Sequence, residues 1–280
     1  MRQGLPSRIF PILFLAATAA AFLGALCAAE RSAWSATLDC LSCHDDHLFR
    51  AEFPKSVHGD NSCTSCHTGI TNEERHSAGE ERPAAVHCGS CHEEIARRYR
   101  QNFHYVQLDF RCSDCHRDIH SFRPRAKKTK AAIIEKCTEC HANEEYVASG
   151  HAEAVLKGNE DAATCSDCHG LHSTQVFHTS LEQYPEQARE FYSRNCKRCH
   201  ADPALAKRNN LNPQIVAYYE QTYHGKVQGI GYPAKVAGCA DCHTTHNILP
   251  KEDPRSSIHP SHLVENCGRC HRGFHPRFVD

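Results

Sequence analysis

The sequence predicts a mainly α-helical chain with much coil and little regular secondary structure. Its repeated units stack into an elongated array around an interior that side chains alone do not fill. Three observations carry this. The pattern C-x-x-C-H occurs nine times in 280 residues and takes up eighteen of the nineteen cysteines. Hydrophobic residues make up 40%, cysteine included, and mean hydropathy is −0.58. First cysteines of successive motifs lie 23 to 43 residues apart, which leaves no room for a domain around each. A chain of this length can bury a sizeable core, and arrays of repeated units are generally elongated.

The motifs, in order, are Cys40, Cys43, His44; Cys63, Cys66, His67; Cys88, Cys91, His92; Cys112, Cys115, His116; Cys137, Cys140, His141; Cys165, Cys168, His169; Cys196, Cys199, His200; Cys239, Cys242, His243; and Cys267, Cys270, His271. C-x-x-C-H is the attachment pattern of c-type haem. Two thiols at this spacing match the two vinyl groups, and the next imidazole falls beneath the iron. A four-thiolate zinc site or a disulfide framework would use the cysteines but not nine histidines. Nine covalent haems would supply the apolar faces that the composition lacks, giving a haem-packed multihaem cytochrome c array whose apoprotein is unfolded.

The N-terminus carries Arg2 and Arg8, then an apolar run from Ile9 to Ala29. This reads as an export signal. Cys27-Ala28-Ala29 before Glu30 suits a signal peptidase, while a run of 21 residues is also long enough to anchor in a membrane. Residues 1–29 are thus a signal peptide or anchor, and 30–280 form the haem domain. The expected location is the periplasm or the extracytoplasmic face of the inner membrane, with membrane association through the N-terminus if it is retained. Gly24-Ala25-Leu26 is a poor lipidation box for Cys27. Net charge is −1, and haem propionates would make the loaded protein more acidic. No broad basic bias points to nucleic acid. Arg123–Lys130 is a basic linker, a solvated connector or a docking patch for an acidic partner.

A longer period is superimposed on the motifs. Even-numbered motifs carry an upstream histidine (His58, His104, His151, His224), and three also carry a downstream one (His120, His172, His246). The unit is a pair of haems, with one extra haem expected at the start. Short helices are expected over Glu93–Asn102, Glu186–Arg198 and Pro213–His224, the last with Pro213 in its first turn. The only methionine is Met1, so His/Met ligation is excluded and two-histidine, low-potential irons follow. Of 23 histidines, fourteen lie outside the motif position. Sixth-ligand candidates are His47, His58, His104, His120, His151, His172, His224 and His246. The ninth is drawn from His87, His259, His262 and His275, with His275 taken first. His76 and His178 read as surface residues.

Several segments resemble periplasmic multihaem c-type cytochromes of the cytochrome c3-like and NapC/NirT-like kinds. They are Val57-His58-Gly59, Cys168-His169-Gly170-Leu171-His172, Tyr223-His224-Gly225, Cys239 to His246, Asn247-Ile248-Leu249-Pro250 and Asp253-Pro254-Arg255-Ser256. The C-terminal half is most similar to haem domains that work with quinol-oxidising cytochrome b subunits. That resemblance implies stacked haem pairs, and partners such as a quinol dehydrogenase, a cytochrome b subunit or other cytochromes. The expected function is electron relay in anaerobic respiration, to a terminal reductase or an outer-membrane relay. The alternative is a reductase of a small nitrogen or sulfur oxyanion with one open iron. No C-x-x-C-K occurs, which favours the carrier over the enzyme, and the spare histidines leave the second reading open.

Overall fold

The structure of the chain, a computed structural model, describes residues 38–123, 129–177, 185–230, 236–273, 275 and 277. The N-terminal segment, His178 and residues 124–128 of the basic linker lie outside the described residues. The described residues form helices, turns and coil, with no strand among them.

Two compact units are formed. Among the described residues, one joins 38–45 to Cys63–Ala85, and the other joins Asp46–Ser62 to those from Val86 onward. In the first, helix α1 (Glu73–Ser77) is capped by Asn72, whose side chain accepts from Arg75 N. In the second, α2 (Glu93–Tyr99) has glutamates in its first turn and arginines in its last, as the helix dipole favours. Glu94 pairs with Arg97 at 2.7 Å and Arg98 at 2.9 Å. It ends before the expected Asn102 because that side chain caps α3 (Phe103–Leu108) instead.

Next come α4 (Lys130–Thr138), α5 (Gly150–Leu156), α6 (Pro185–His200) and α7 (Pro203–Arg208). The helix expected to end at His224 is two, α8 (Ile215–Gln221) and α9 (Tyr223–Ile230). Thr222 breaks it. Its backbone is extended, its hydroxyl donates to Tyr219 O at 2.6 Å, and Gly225 N donates back to that hydroxyl at 3.1 Å. Helix α10 (Leu263–Gly268) runs into the ninth motif.

The side-chain core is small. Ile134, Tyr146, Ala152 and Val155 cluster where α4 meets α5. Large apolar side chains such as Val106, Tyr223 and Ile230 are exposed.

Motif conformation alternates. Even-numbered motifs open their own helical turns, at Cys63–Cys66, Cys112–Cys115, Cys165–His169 and Cys239–His243. The first and third are 3-10 turns, and the fifth, seventh and ninth close α4, α6 and α10. In the first five motifs and the ninth, the histidine N–H donates to the first cysteine's carbonyl at 2.9 to 3.0 Å. One turn therefore brings both thiols and the imidazole together.

Candidate haem centres

Seven motif histidines each face a second histidine ring. The centroid separations are 6.3 Å for His44–His76, 6.0 Å for His58–His92, 5.8 Å for His104–His141 and 6.3 Å for His116–His172. They are 6.1 Å for His151–His200, 6.2 Å for His169–His246 and 5.9 Å for His224–His271. A metal–imidazole bond is about 2 Å and the ring centroid lies about 1 Å beyond, so imidazoles on opposite faces of one iron have centroids about 6 Å apart. The donor set therefore fits a six-coordinate haem iron.

Facing follows a register that crosses between motifs. The histidine upstream of an even motif faces the next odd one: His58 faces the third, His104 the fifth, His151 the seventh and His224 the ninth. The histidine downstream of an even motif faces the preceding even one: His172 faces the fourth and His246 the sixth. Thiols pair differently. The thiol of Cys40 lies beside that of Cys63, Cys88 beside Cys112, Cys137 beside Cys165, and Cys196 beside Cys239. Pairing thus joins odd motifs to the following even ones. In this thiol pairing the ninth motif is the one without a following partner.

The cytochrome c3 family model matches residues 103–181. A relative described as multiheme cytochrome MtrA, from Shewanella baltica, is 26% identical over 185 residues, 58% of this chain and 52% of its own. The cytochrome c-type protein NrfB of Escherichia coli O6:H1 is 26% identical over 140 residues, 48% of this chain and 63% of its own. The chain is a multihaem c-type cytochrome. It spans between half and two thirds of the length of these curated relatives. No solved structure matches it. The cytochrome's repeated cysteine pairs fit covalent haem c.

The cytochrome holds its upstream histidines by one local device. Ser56, Asn102, Ser149 and Thr222 each stand two residues before the histidine and bond to the turn that carries it. Three residues before the cap stands Phe53, Tyr99, Tyr146 or Tyr219. Each tyrosine hydroxyl donates to the carbonyl two residues ahead of an even motif: Tyr99 to Phe110 at 3.1 Å, Tyr146 to Ala163 at 2.7 Å, and Tyr219 to Ala237 at 2.7 Å. The residue after that carbonyl donates its N–H to an aspartate inside the motif: Arg111 to Asp114, Thr164 to Asp167 and Gly238 to Asp241, at 2.6 to 2.7 Å. Sequence reasoning missed the tyrosines and aspartates. Their signal was the recurrent aromatic-x-x-(Ser/Asn/Thr)-x-His and C-x-D-C-H.

Burial lowers the pKa of His104, His151, His172, His200, His243 and His246, favouring the neutral form of the ring, which is the form that binds metals. Nδ1 of His169 lies 3.0 Å from Gln175 O, which would leave Nε2 as the nitrogen to hold an iron. His76, read from sequence as a surface residue, shows the same geometry, with Nδ1 2.9 Å from Glu81 O. Glu81 is 8% exposed and accepts from Thr71 N, Thr71 Oγ1 and Asn72 N at 2.6, 2.9 and 2.9 Å. These bonds fasten the segment before α1 to the carbonyl that orients His76.

Gly225 follows His224, and a Cβ there would lie 2.1 Å from Tyr219 O. Gly225→Ala is expected to cost about 3 kcal/mol by overpacking against rigid backbone. Thermal unfolding of the loaded protein measures it.

Other candidates lie elsewhere. His47 is exposed and near Glu52. His120 packs edge-on against Phe49 and Phe53 at 5.3 and 5.9 Å. His87 is exposed, with its carbonyl accepting from Ser90. The ring of His259 is tilted by 59° against that of His262, 6.2 Å away, and Nε2 of His262 lies 2.9 Å from Pro254 O. His275 is exposed and accepts from Arg277 N through Nδ1. His67 is half-buried in the first unit, and His243 is half-buried in the second.

Proposed function

We propose that the cytochrome carries nine covalent haems, most or all bound by two histidines, and relays electrons in anaerobic respiration. Its donor is a quinol-linked protein and its acceptor a terminal reductase or outer-membrane relay. It works in the periplasm or at the outer face of the inner membrane. Among the described residues no helix is long and apolar enough to cross a membrane, and the export reading rests on residues 1–29.

The observation that carries this is the interlocked set of seven histidine pairs. Each haem, when bound, supplies a one-electron ferric/ferrous couple. Two imidazoles on one iron leave no position for a substrate. Two imidazoles also favour the ferric state relative to His/Met ligation, and so a low potential. The crossed register makes six motifs, the third to the seventh and the ninth, depend on a histidine from beyond their own pair, which holds neighbouring centres close. The relatives' descriptions, a multiheme cytochrome and a cytochrome c-type protein, agree with a carrier.

The test is an EPR spectrum of the oxidised protein with and without nitrite or hydroxylamine. Low-spin signals untouched by either ligand are expected. A high-spin signal that responds to them would favour the reductase reading.

A further inference from the structure

The facing histidine rings fall into two geometric classes that follow the register. Pairs built from an upstream histidine are steep: 84° for His58–His92, 71° for His104–His141, 61° for His151–His200 and 62° for His224–His271. Pairs built from a downstream histidine are nearly parallel, 27° for His116–His172 and 23° for His169–His246. His44–His76, closed within the first unit, is 32°.

Each class has a local cause. His172 and His246 stand three residues after a motif histidine, on loops that reverse through a left-handed residue, Gly170 at φ 80° or Thr244 at φ 64°. Thr244 is held there by its hydroxyl, which donates to Asn247 O at 2.8 Å. The steep histidines stand instead two residues past a capping side chain. Asn102 and Ser149 are almost wholly buried, and Tyr99, Tyr146 and Tyr219 tie the preceding turn to the lead-in of an even motif. Each tyrosine therefore stands in relation to three successive motifs, one through its hydrogen bond and two along the chain. It follows an odd motif, bonds ahead of the next even one, and precedes by five residues the histidine that faces the odd motif after that. Phe53 holds this place in the first repeat and has no hydroxyl.

We infer that the iron centres alternate between two classes of axial-ring geometry, with Tyr99, Tyr146 and Tyr219 and their capping partners as the positioning residues of the steep class. This rests on the two-histidine ligation proposed above. An axial imidazole acts by π overlap on the iron d orbital perpendicular to its own plane. Parallel rings act on the same orbital and split the pair. Steep rings act on both orbitals and leave them nearly degenerate. The parallel class then gives a rhombic low-spin EPR signal, and the steep class a broad signal with one large g value. Ligand orientation is a lever that the protein, not the haem, controls.

Liquid-helium EPR of the oxidised holoprotein tests this directly. Both signal families are expected, with the third, fifth, seventh and ninth motifs in the large-g family. Tyr146→Phe and Ser149→Ala are expected to displace about a quarter of the large-g intensity and leave the rhombic signals unchanged, and Ser149→Thr, which keeps the cap, restores it. A single low-spin family in the wild type overturns the inference and leaves two-histidine ligation standing. Variants that move both families equally, or neither, overturn the positioning role. Absence of low-spin signals in the wild type would instead reject the ligation itself. The wild-type spectrum decides the two-class assignment even where a variant does not load haem.

Discussion

Produced without covalent haem attachment, the polypeptide is expected to be unfolded. The reason lies in what is buried. Among the described residues the buried hydrophobic side chains are Ile134, Tyr146, Ala152, Val155, Ala206, Val236 and Leu249, two of them alanines. Ordering a chain costs roughly 1–2 kcal/mol per residue in backbone entropy, and so few apolar side chains do not offset that. Helices as short as α1, α3 and α7 are not stable alone in water. The apolar faces that order them come with the cofactor, as in small domains whose metal is their core. Far-UV circular dichroism of cytoplasmically produced, haem-free protein measures this. A near-complete loss of helical signal and rapid proteolysis are expected. A helical, protease-resistant apoprotein would show that the side-chain core suffices.

His224→Met is expected to raise the reduction potential of one centre. His224 sits in the first turn of α9, its ring 5.9 Å from His271. Methionine is a weaker donor to ferric iron than imidazole, and His/Met ligation raises haem potentials. The shift expected is on the order of 100 mV, within the roughly 0.8 V that axial ligands command. A spectroelectrochemical titration reads it as one component moving away from the low-potential group. A titration superimposable on the wild type would remove His224 from the iron.

Much of this was legible in the sequence because it is local. C-x-x-C-H names the thiols and the first imidazole within five residues. His58, His104, His151 and His224 stood out because they recur at one side of the even motifs. Which motif each one faces was not legible, because the facing ring belongs to a different motif brought near by folding. Counting flanking histidines assigns His104 to the fourth motif, beside it in sequence, whereas the structure sets it against His141 of the fifth. His76 was missed for the opposite reason. It belongs to no repeat, and its orientation depends on Glu81 accepting from Thr71 and Asn72, with the Glu81 carbonyl beside the ring. The split at Thr222 hid in a sequence with good helical periodicity, since one hydroxyl bonded to Tyr219 O ends the helix. The aromatic-x-x-cap-x-His pattern was present at Phe53, Tyr99, Tyr146 and Tyr219, and only the hydrogen bonds of its tyrosines reveal what it does.

The central claim is that this chain is a low-potential electron conduit with one redox centre per motif. Protein-film voltammetry of the intact holoprotein tests it most directly. Reversible waves that integrate to nine electrons per molecule, all at low potential, are expected. No added current is expected on supplying nitrite or hydroxylamine. Fewer electrons taken up, or a catalytic current with either compound, would contradict it.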